Sequence, residues 1–242
     1  MSAFSEGIKR YHKNTRSAAY GYLISLPLLF LYEFLLYLSE VDPSHYVRIS
    51  ADVWIRSLLS FIGYNTTALT FALALIIGII IFFLDRKKHI TLKVTYFLGI
   101  IAESLVYALI LGFAISHFTT ALVNMIPPPT IQLSPIQRFA LSLGAGLYEE
   151  LFFRVILVSV FMWLFKILSF RGWTQKFAAV VAAAMLFSLA HFTGNMGEPF
   201  TIYAFVFRFL FGVALNYIYI IRGFGAAAWT HALYDTLLIF LI

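Results

Sequence analysis

Three charged side chains, Glu149, Glu150 and Arg154, interrupt an apolar stretch in the second half of this 242-residue chain. Moving an ionised side chain to the bilayer centre costs at least a few kcal/mol, so such groups usually face a partner or a wet cavity. On a helix Glu150 and Arg154 share a face, whereas Glu149 lies about 100° away. This spacing predicts a Glu150–Arg154 ion pair and leaves Glu149 free to act as a general base. The alternative is a buried Glu–Arg–Glu triad that only joins helices.

Two further polar groups stand in later apolar segments. His191 follows Phe187 by four residues, and His231 precedes Asp235 by four, so each pair shares a helix face. Each also has a structural interpretation, because a histidine near the end of a span often bonds its own helix and a His/Asp pair is often a local hydrogen bond. One hydrated site would account for all three groups together. Such a set can deprotonate a water molecule and stabilise an oxyanion, which is the chemistry of amide hydrolysis.

The three groups resemble, in order, the three motifs of the CPBP family of intramembrane proteases, which includes the CAAX prenyl proteases and the bacterial Abi proteins. The resemblance covers about a hundred residues, from near Phe139 to near Leu237. Each motif alone is weak, but all three in order inside apolar segments form a specific pattern. The resemblance implies an intramembrane protease that depends on a glutamate.

The same resemblance implies a role for each polar residue. Glu149 would be the general base and would work with His191 to activate water. Glu150 and Arg154 would position Glu149, and His231 with the residue at position 235 would stabilise the oxyanion.

Asp235 departs from the family pattern, which commonly has asparagine at this position. An asparagine amide can donate a hydrogen bond to an oxyanion, whereas an ionised aspartate would repel one. We therefore predict that Asp235 accepts a hydrogen bond from His231 and orients it.

A zinc site is an alternative on chemical grounds. His191, His231 and Glu149 would be a suitable set of three zinc ligands with one open position. Against this, the chain has no HExxH spacing and the three residues lie in separate apolar segments. The prediction is therefore a site without a metal or cofactor.

Composition places these residues in a membrane. The chain is 62% hydrophobic and 12% charged, and its mean hydropathy is +0.89. A soluble domain is about one half apolar and one quarter charged. We therefore predict an all-α, polytopic transmembrane helix bundle whose apolar outer surface is in contact with lipid. The net charge of +6 does not indicate nucleic-acid binding, because the basic residues stand between apolar segments, where membrane topology explains them.

Seven spans are predicted, with a possible interfacial helix between residues 41 and 65. The spans cover about residues 18–38, 66–84, 94–118, 135–168, 177–192, 200–221 and 226–242. Basic residues concentrate on one side of this arrangement, so the positive-inside rule predicts a cytoplasmic N-terminus. Glu103 within the third span is expected to bond a neighbouring helix, with Arg208 as a possible partner.

The proline run 127–129 predicts a boundary between an N-terminal region, residues 1–130 with three spans, and a catalytic region, residues 131–242 with four spans. Ser134 and Pro135 open a helical run of more than thirty residues, which is longer than a bilayer requires. We therefore expect a tilt or break near Gly144 and Gly146, where the missing side chains would also let another backbone approach.

The leading functional prediction is an endopeptidase that cleaves a membrane-anchored or lipidated protein, in the plasma membrane of a bacterium or archaeon. Its expected partners are that protein or peptide and the lipid bilayer. The alternative is a non-catalytic immunity or scaffold protein, or a proton-coupled transporter. Transporters usually show internal repeats, and this sequence shows none.

Overall fold

The computed structural model describes residues 3–39, 47–88, 90–119, 133–193 and 197–241, and within those ranges every regular element is a helix. The α-helices are α1 (Ala3–Thr15), α2 (Ala18–Ser39), α3 (Ser50–Ser60), α4 (Thr66–Asp85), α5 (Val94–Thr119), α6 (Pro135–Gly144), α7 (Val158–Ile167), α8 (Gly172–Ala190), α9 (Ile202–Arg222) and α10 (Phe224–Leu241). Two π-helical segments, Ala145–Glu149 and Leu151–Leu157, join α6 to α7. The predicted all-α membrane bundle is confirmed.

Five helices in the described part of the chain are long and apolar enough to cross a bilayer: α2, α4, α5 over residues 94–114, α8 and α9. The other two predicted spans form the run from α6 to α7 and the 18-residue helix α10. The count of seven spans and the cytoplasmic N-terminus stay predictions. The proline run and the boundary between residues 130 and 131 lie outside the described residues.

The apolar side chains of the outer helices face away from the protein. Helix α4 has 20 residues, and only Thr70 and Asp85 of these are buried. Its exposed side chains include Leu75, Ile79 and Phe82. A surface of this kind is stable only in an apolar solvent, which agrees with an integral membrane protein.

Helix α2 lies against both halves of the chain. Its buried face includes Tyr20, Leu28 and Tyr32, which have no exposed surface. The indole Nε1–H of Trp229 on α10 donates a 2.7 Å hydrogen bond to the carbonyl of Ile24 on α2. The N-terminal helices therefore help to hold α10, which carries His231.

Helix α3 confirms a helix in the predicted interfacial segment, but its charged face is the buried one. Asp52 and Arg56 are buried, and they form an ion-pair network with Glu33 on α2 and with Arg48. Burial disfavours the charged form of Arg48, but hydrogen bonds to Glu33 and Asp52 outweigh it and raise the pKa of the guanidinium above its usual range. The network fixes α3 against α2 while Leu58 points outward.

The predicted partner of Glu103 is wrong. Arg222 at the end of α9 pairs with Glu103, with 2.5 Å between Nε and Oε1, whereas Arg208 pairs with Glu198. The hydroxyl groups of Tyr11 and Tyr107 also donate to the Glu103 carboxylate. Arg208 lies near the start of α9, where it pairs with Glu198 in the preceding loop. Arg222 lies at the opposite end of the helix.

The predicted irregularity near Gly144 and Gly146 takes the form of the two π-helical segments. In the second segment the backbone N–H of Val158 donates to the carbonyl of Phe153, five residues earlier. A Cβ at Gly146 would collide with the carbonyl oxygen of Ala228 on α10, so the expected close backbone approach is confirmed. π-Helical turns are frequent at functional sites because they change the direction of side chains within a continuous helix.

The Gly146 contact predicts that Gly146→Ala lowers stability. The added methyl group has no room beside Ala228 and Ala232, so we expect a loss of about 1–3 kcal/mol in the free energy of unfolding. Denaturation of the purified protein in detergent, followed by helical circular dichroism, measures the effect. The control is Gly112→Ala in α5, where the new Cβ meets only an ordinary contact with Tyr234 at 3.9 Å. Equal stability of the two variants would contradict the packing argument.

Candidate active site

The structure brings all six predicted site residues into one cluster. The π-helical run supplies three of them, Glu149, Glu150 and Arg154. The C-terminal end of α8 contributes His191, and α10 contributes His231 and Asp235; the helices meet around the ring of Phe187.

The predicted Glu150–Arg154 ion pair forms and has no exposed surface. Arg154 Nε lies 2.9 Å from Glu150 Oε2, although the two groups are not aligned as a hydrogen bond. The guanidinium also lies over the ring of Phe187, 4.4 Å from its centroid. The ion pair and the aromatic face together stabilise a cation that would otherwise be costly to bury.

Glu149 points away from this pair and towards His191. Its Oε2 lies 3.9 Å from His191 Nε2. The other imidazole nitrogen, Nδ1, lies 2.9 Å from the carbonyl oxygen of Phe187. A carbonyl only accepts, so Nδ1 carries a proton, and in the neutral imidazole Nε2 presents a lone pair towards Glu149. The Phe187 ring also packs edge-on against His191, as the four-residue spacing predicted.

Sequence reasoning missed the main partner of Glu150. Glu150 Oε1 lies 2.7 Å from His231 Nδ1, so this carboxylate joins Arg154 on its own helix to His231 on α10. The resemblance had implied that Glu150 positions Glu149. A contact between two helices leaves no periodic signal in the sequence, and only the depth of the two charges in their apolar segments could have suggested it.

Asp235 lies near the second nitrogen of His231. The distance from its Oδ2 to His231 Nε2 is 3.5 Å, longer than the 2.7 Å between His231 Nδ1 and Glu150. The closer contact that orients the imidazole is thus with Glu150, and Asp235 lies at the other edge of the ring.

Exposure divides the cluster into a closed side and an open side. Glu150 and Arg154 are fully buried and His231 is 3% exposed, whereas the side chains of Glu149, His191 and Asp235 are 12%, 27% and 30% exposed. Glu149, His191 and the Asp235 edge of His231 are therefore the accessible part of the cluster, and the buried Glu150–Arg154 pair lies behind them.

Within the described residues, no group of three or more His, Cys, Asp or Glu side chains has an arrangement that could hold a metal ion. In the cluster His191 Nε2 faces Glu149, and His231 Nδ1 faces Glu150.

A comparison with models of known protein families finds a match in the second half of the chain. Residues 131–237 match the family model described as "Rce1-like: Type II CAAX prenyl endopeptidase Rce1-like", and this match confirms the resemblance to the CPBP and CAAX proteases. Neither a curated protein nor a solved structure matches the chain. The matched range includes all six cluster residues.

The buried ion pair predicts that Arg154→Met is strongly destabilising. The substitution keeps much of the volume but leaves Glu150 buried without its cation, so we expect a loss of about 3–5 kcal/mol. Thermal unfolding in detergent measures it.

The matched control is Arg208→Met, which removes a cation from a pair whose Glu198 side chain is 52% exposed. It should cost less than about 1 kcal/mol. The double variant Glu150→Gln/Arg154→Met should recover part of the loss, because the uncompensated charge is gone. An Arg154→Met protein as stable as the control would show that the pair does not support the fold.

Proposed function

We propose that this chain is an intramembrane endopeptidase in which Glu149 and His191 activate water, and the match of residues 131–237 to the model of type II CAAX prenyl endopeptidases supports the proposal. The observation that carries the proposal is the placement of these two groups. The Glu149 carboxylate and the lone pair of His191 face each other across 3.9 Å on the open side of the cluster.

A gap of this size suits a shared water molecule. It is too long for a direct hydrogen bond, and polar groups separated by more than about 3.5 Å are often joined by water. Both groups are acceptors, so one water can donate one hydrogen to Glu149 and the other to His191 Nε2. The lone pairs of that water then point away from both groups and towards a substrate carbonyl.

In the reaction, the water oxygen forms a bond to the carbonyl carbon of the scissile peptide while its proton passes to Glu149. The electron pair of the C=O bond moves to the oxygen and forms the tetrahedral oxyanion. When the C–N bond breaks, protonated Glu149 returns the proton to the leaving amine. The second hydrogen of the water stays on the new carboxyl group, so the immediate products are a carboxylic acid and an amine, and Glu149 is again ionised. The carboxylic acid then releases its proton to solvent and becomes a carboxylate.

His231 stabilises the oxyanion in this mechanism. It lies between Glu150 at 2.7 Å and Asp235 at 3.5 Å, and two carboxylates at these distances favour a positively charged imidazole. Its Nδ1–H donates to Glu150. Its Nε2–H rests near Asp235 and is available to the oxyanion. Asp235 thus takes the place of the family's asparagine as the resting acceptor of that proton.

The charges of the site then leave one free base. Arg154 and protonated His231 balance Glu150 and Asp235, so Glu149 has no cation of its own in the cluster. The family name points to a prenylated protein as the substrate, and the wider class is a membrane-anchored or lipidated protein whose cleaved bond can reach this site.

Glu149→Gln should abolish most of the activity without unfolding the protein. The amide keeps the shape of the side chain but cannot take a proton, so kcat should fall by about 10²–10⁴-fold. The assay follows cleavage of a prenylated peptide ending in a CAAX sequence by purified protein in detergent, with thermal unfolding as the check of folding.

The matched control is Glu198→Gln, which changes an exposed glutamate in the loop after His191 and should keep wild-type kcat. Full activity of Glu149→Gln would rule out the proposed base. No cleavage by the wild type, together with proton-coupled uptake in liposomes that His191→Ala abolishes, would favour the transporter alternative.

Metal removal gives an independent test. Because the proposed base and acceptor act on water directly, cleavage should continue at an unchanged rate after treatment with phenanthroline and gel filtration. Loss of activity that zinc restores would instead support the His191, His231 and Glu149 zinc site.

A further inference from the structure

A large apolar cavity lies apart from the cluster, between α2, α4 and α7. Its volume is about 750 Å³, within the range of small-molecule sites in proteins. The walls are aliphatic and include Leu26, Leu73, Ile77 and Val158. We refer to this cavity as the α2–α4–α7 groove.

Two cationic side chains line the groove, and the predicted topology puts both at its cytoplasmic end. Arg16 precedes α2 and Lys176 lies in the first turns of α8; both line the groove, and both are exposed. Neither forms an ion pair with any residue that the structure describes. The nearby Asp85 is engaged by Lys88 Nζ at 2.6 Å and by the backbone N–H of Ala19 at 2.9 Å, so its charge is already compensated.

The far end of the groove reaches the back of the catalytic helix. Leu147 and Leu151 line the groove, and each is two residues from Glu149 in the sequence. Residues two apart lie on nearly opposite sides of a helix, so the groove and the Glu149 carboxylate are on different sides of the π-helical run. A molecule in the groove can contact the catalytic helix, but none of its covalent bonds would lie beside the Glu149 carboxylate.

We propose that the groove binds an anionic phospholipid of the cytoplasmic leaflet, with its phosphate between Arg16 and Lys176 and an acyl chain along α2 and α4. Charge complementarity selects the headgroup, because basic side chains near a membrane surface attract anionic lipids. The aliphatic walls select the chain. The position behind Glu149 distinguishes this lipid from the part of the substrate that is cleaved.

The test measures lipid binding rather than proteolysis. Delipidated protein in detergent is titrated with palmitoyl-oleoyl phosphatidylglycerol or with palmitoyl-oleoyl phosphatidylcholine, which has the same acyl chains. Native mass spectrometry counts the lipids that stay bound. We expect one tight phosphatidylglycerol site. The double variant Arg16→Gln/Lys176→Gln should weaken it about twenty-five-fold, at about fivefold for each cation. Lys166→Gln/Arg171→Gln removes the same charge outside the groove and should have no effect.

A second pair of variants tests the apolar part. Ser159 lines the groove on α7, whereas its neighbour Val160 is exposed and does not. Ser159→Trp should fill the groove and abolish the tight site, and Val160→Trp should leave it intact. Equal binding of the two lipids, or binding that Ser159→Trp leaves unchanged, would overturn the proposal.

Two further arms separate the groove from the reaction. Glu149→Gln should bind phosphatidylglycerol as the wild type does, so failure of the proposed protease mechanism would not affect this result. A prenylated CAAX peptide should not displace the lipid. Displacement by that peptide would show that the groove holds the substrate's anchor and would overturn the assignment to a phospholipid.

Discussion

The structure depends on the pairing of charges that water does not reach. Arg154 and Glu150 have no exposed surface, and neither would be tolerated alone inside an apolar bundle. Each therefore requires the other, and Glu150 uses its second oxygen to hold His231 at 2.7 Å. A single buried carboxylate thus connects the π-helical run to α10. The requirement to satisfy these charges limits how the helices can pack.

The helices around this pair carry Glu149 and His191, the groups that we propose activate water. The ring of Phe187 on α8 covers the Arg154 guanidinium and also contacts His191, so the position of His191 follows from the packing of the cation. Gly146 lets α10 approach closely beside the π-helical turn. Farther out, the ion pairs of Glu33, Asp52 and Arg56 fix α3 to α2. Several polar contacts inside the described bundle join different helices, including Arg222 with Glu103 and Trp229 with Ile24, which suits a protein whose outer surface is solvated by lipid.

Much of this arrangement could be predicted because its signals are local. Apolar runs give the helices, the Ser134–Pro135 pair gives the start of α6, and four-residue spacing gives the Glu150–Arg154 pair and the contact of Phe187 with His191. Contacts between different helices could not be predicted from the sequence in the same way. The pairing of Glu150 with His231 and of Glu103 with Arg222 depends on how helices are rotated and shifted along one another, and the sequence period of a single helix carries no such information. The π-helical form of the run was also beyond prediction, although its length and glycines indicated an irregularity.

The central claim is that Glu149 takes a proton from water instead of attacking the substrate itself. A single turnover in water enriched in the heavy oxygen isotope, with enzyme in excess over substrate, tests this claim directly by mass spectrometry of the new C-terminus. Direct attack by water predicts one heavy oxygen in the carboxylate of every product molecule in that first turnover. Product that carries only ordinary oxygen would show that the new oxygen came from the enzyme's own carboxylate, and it would contradict the account.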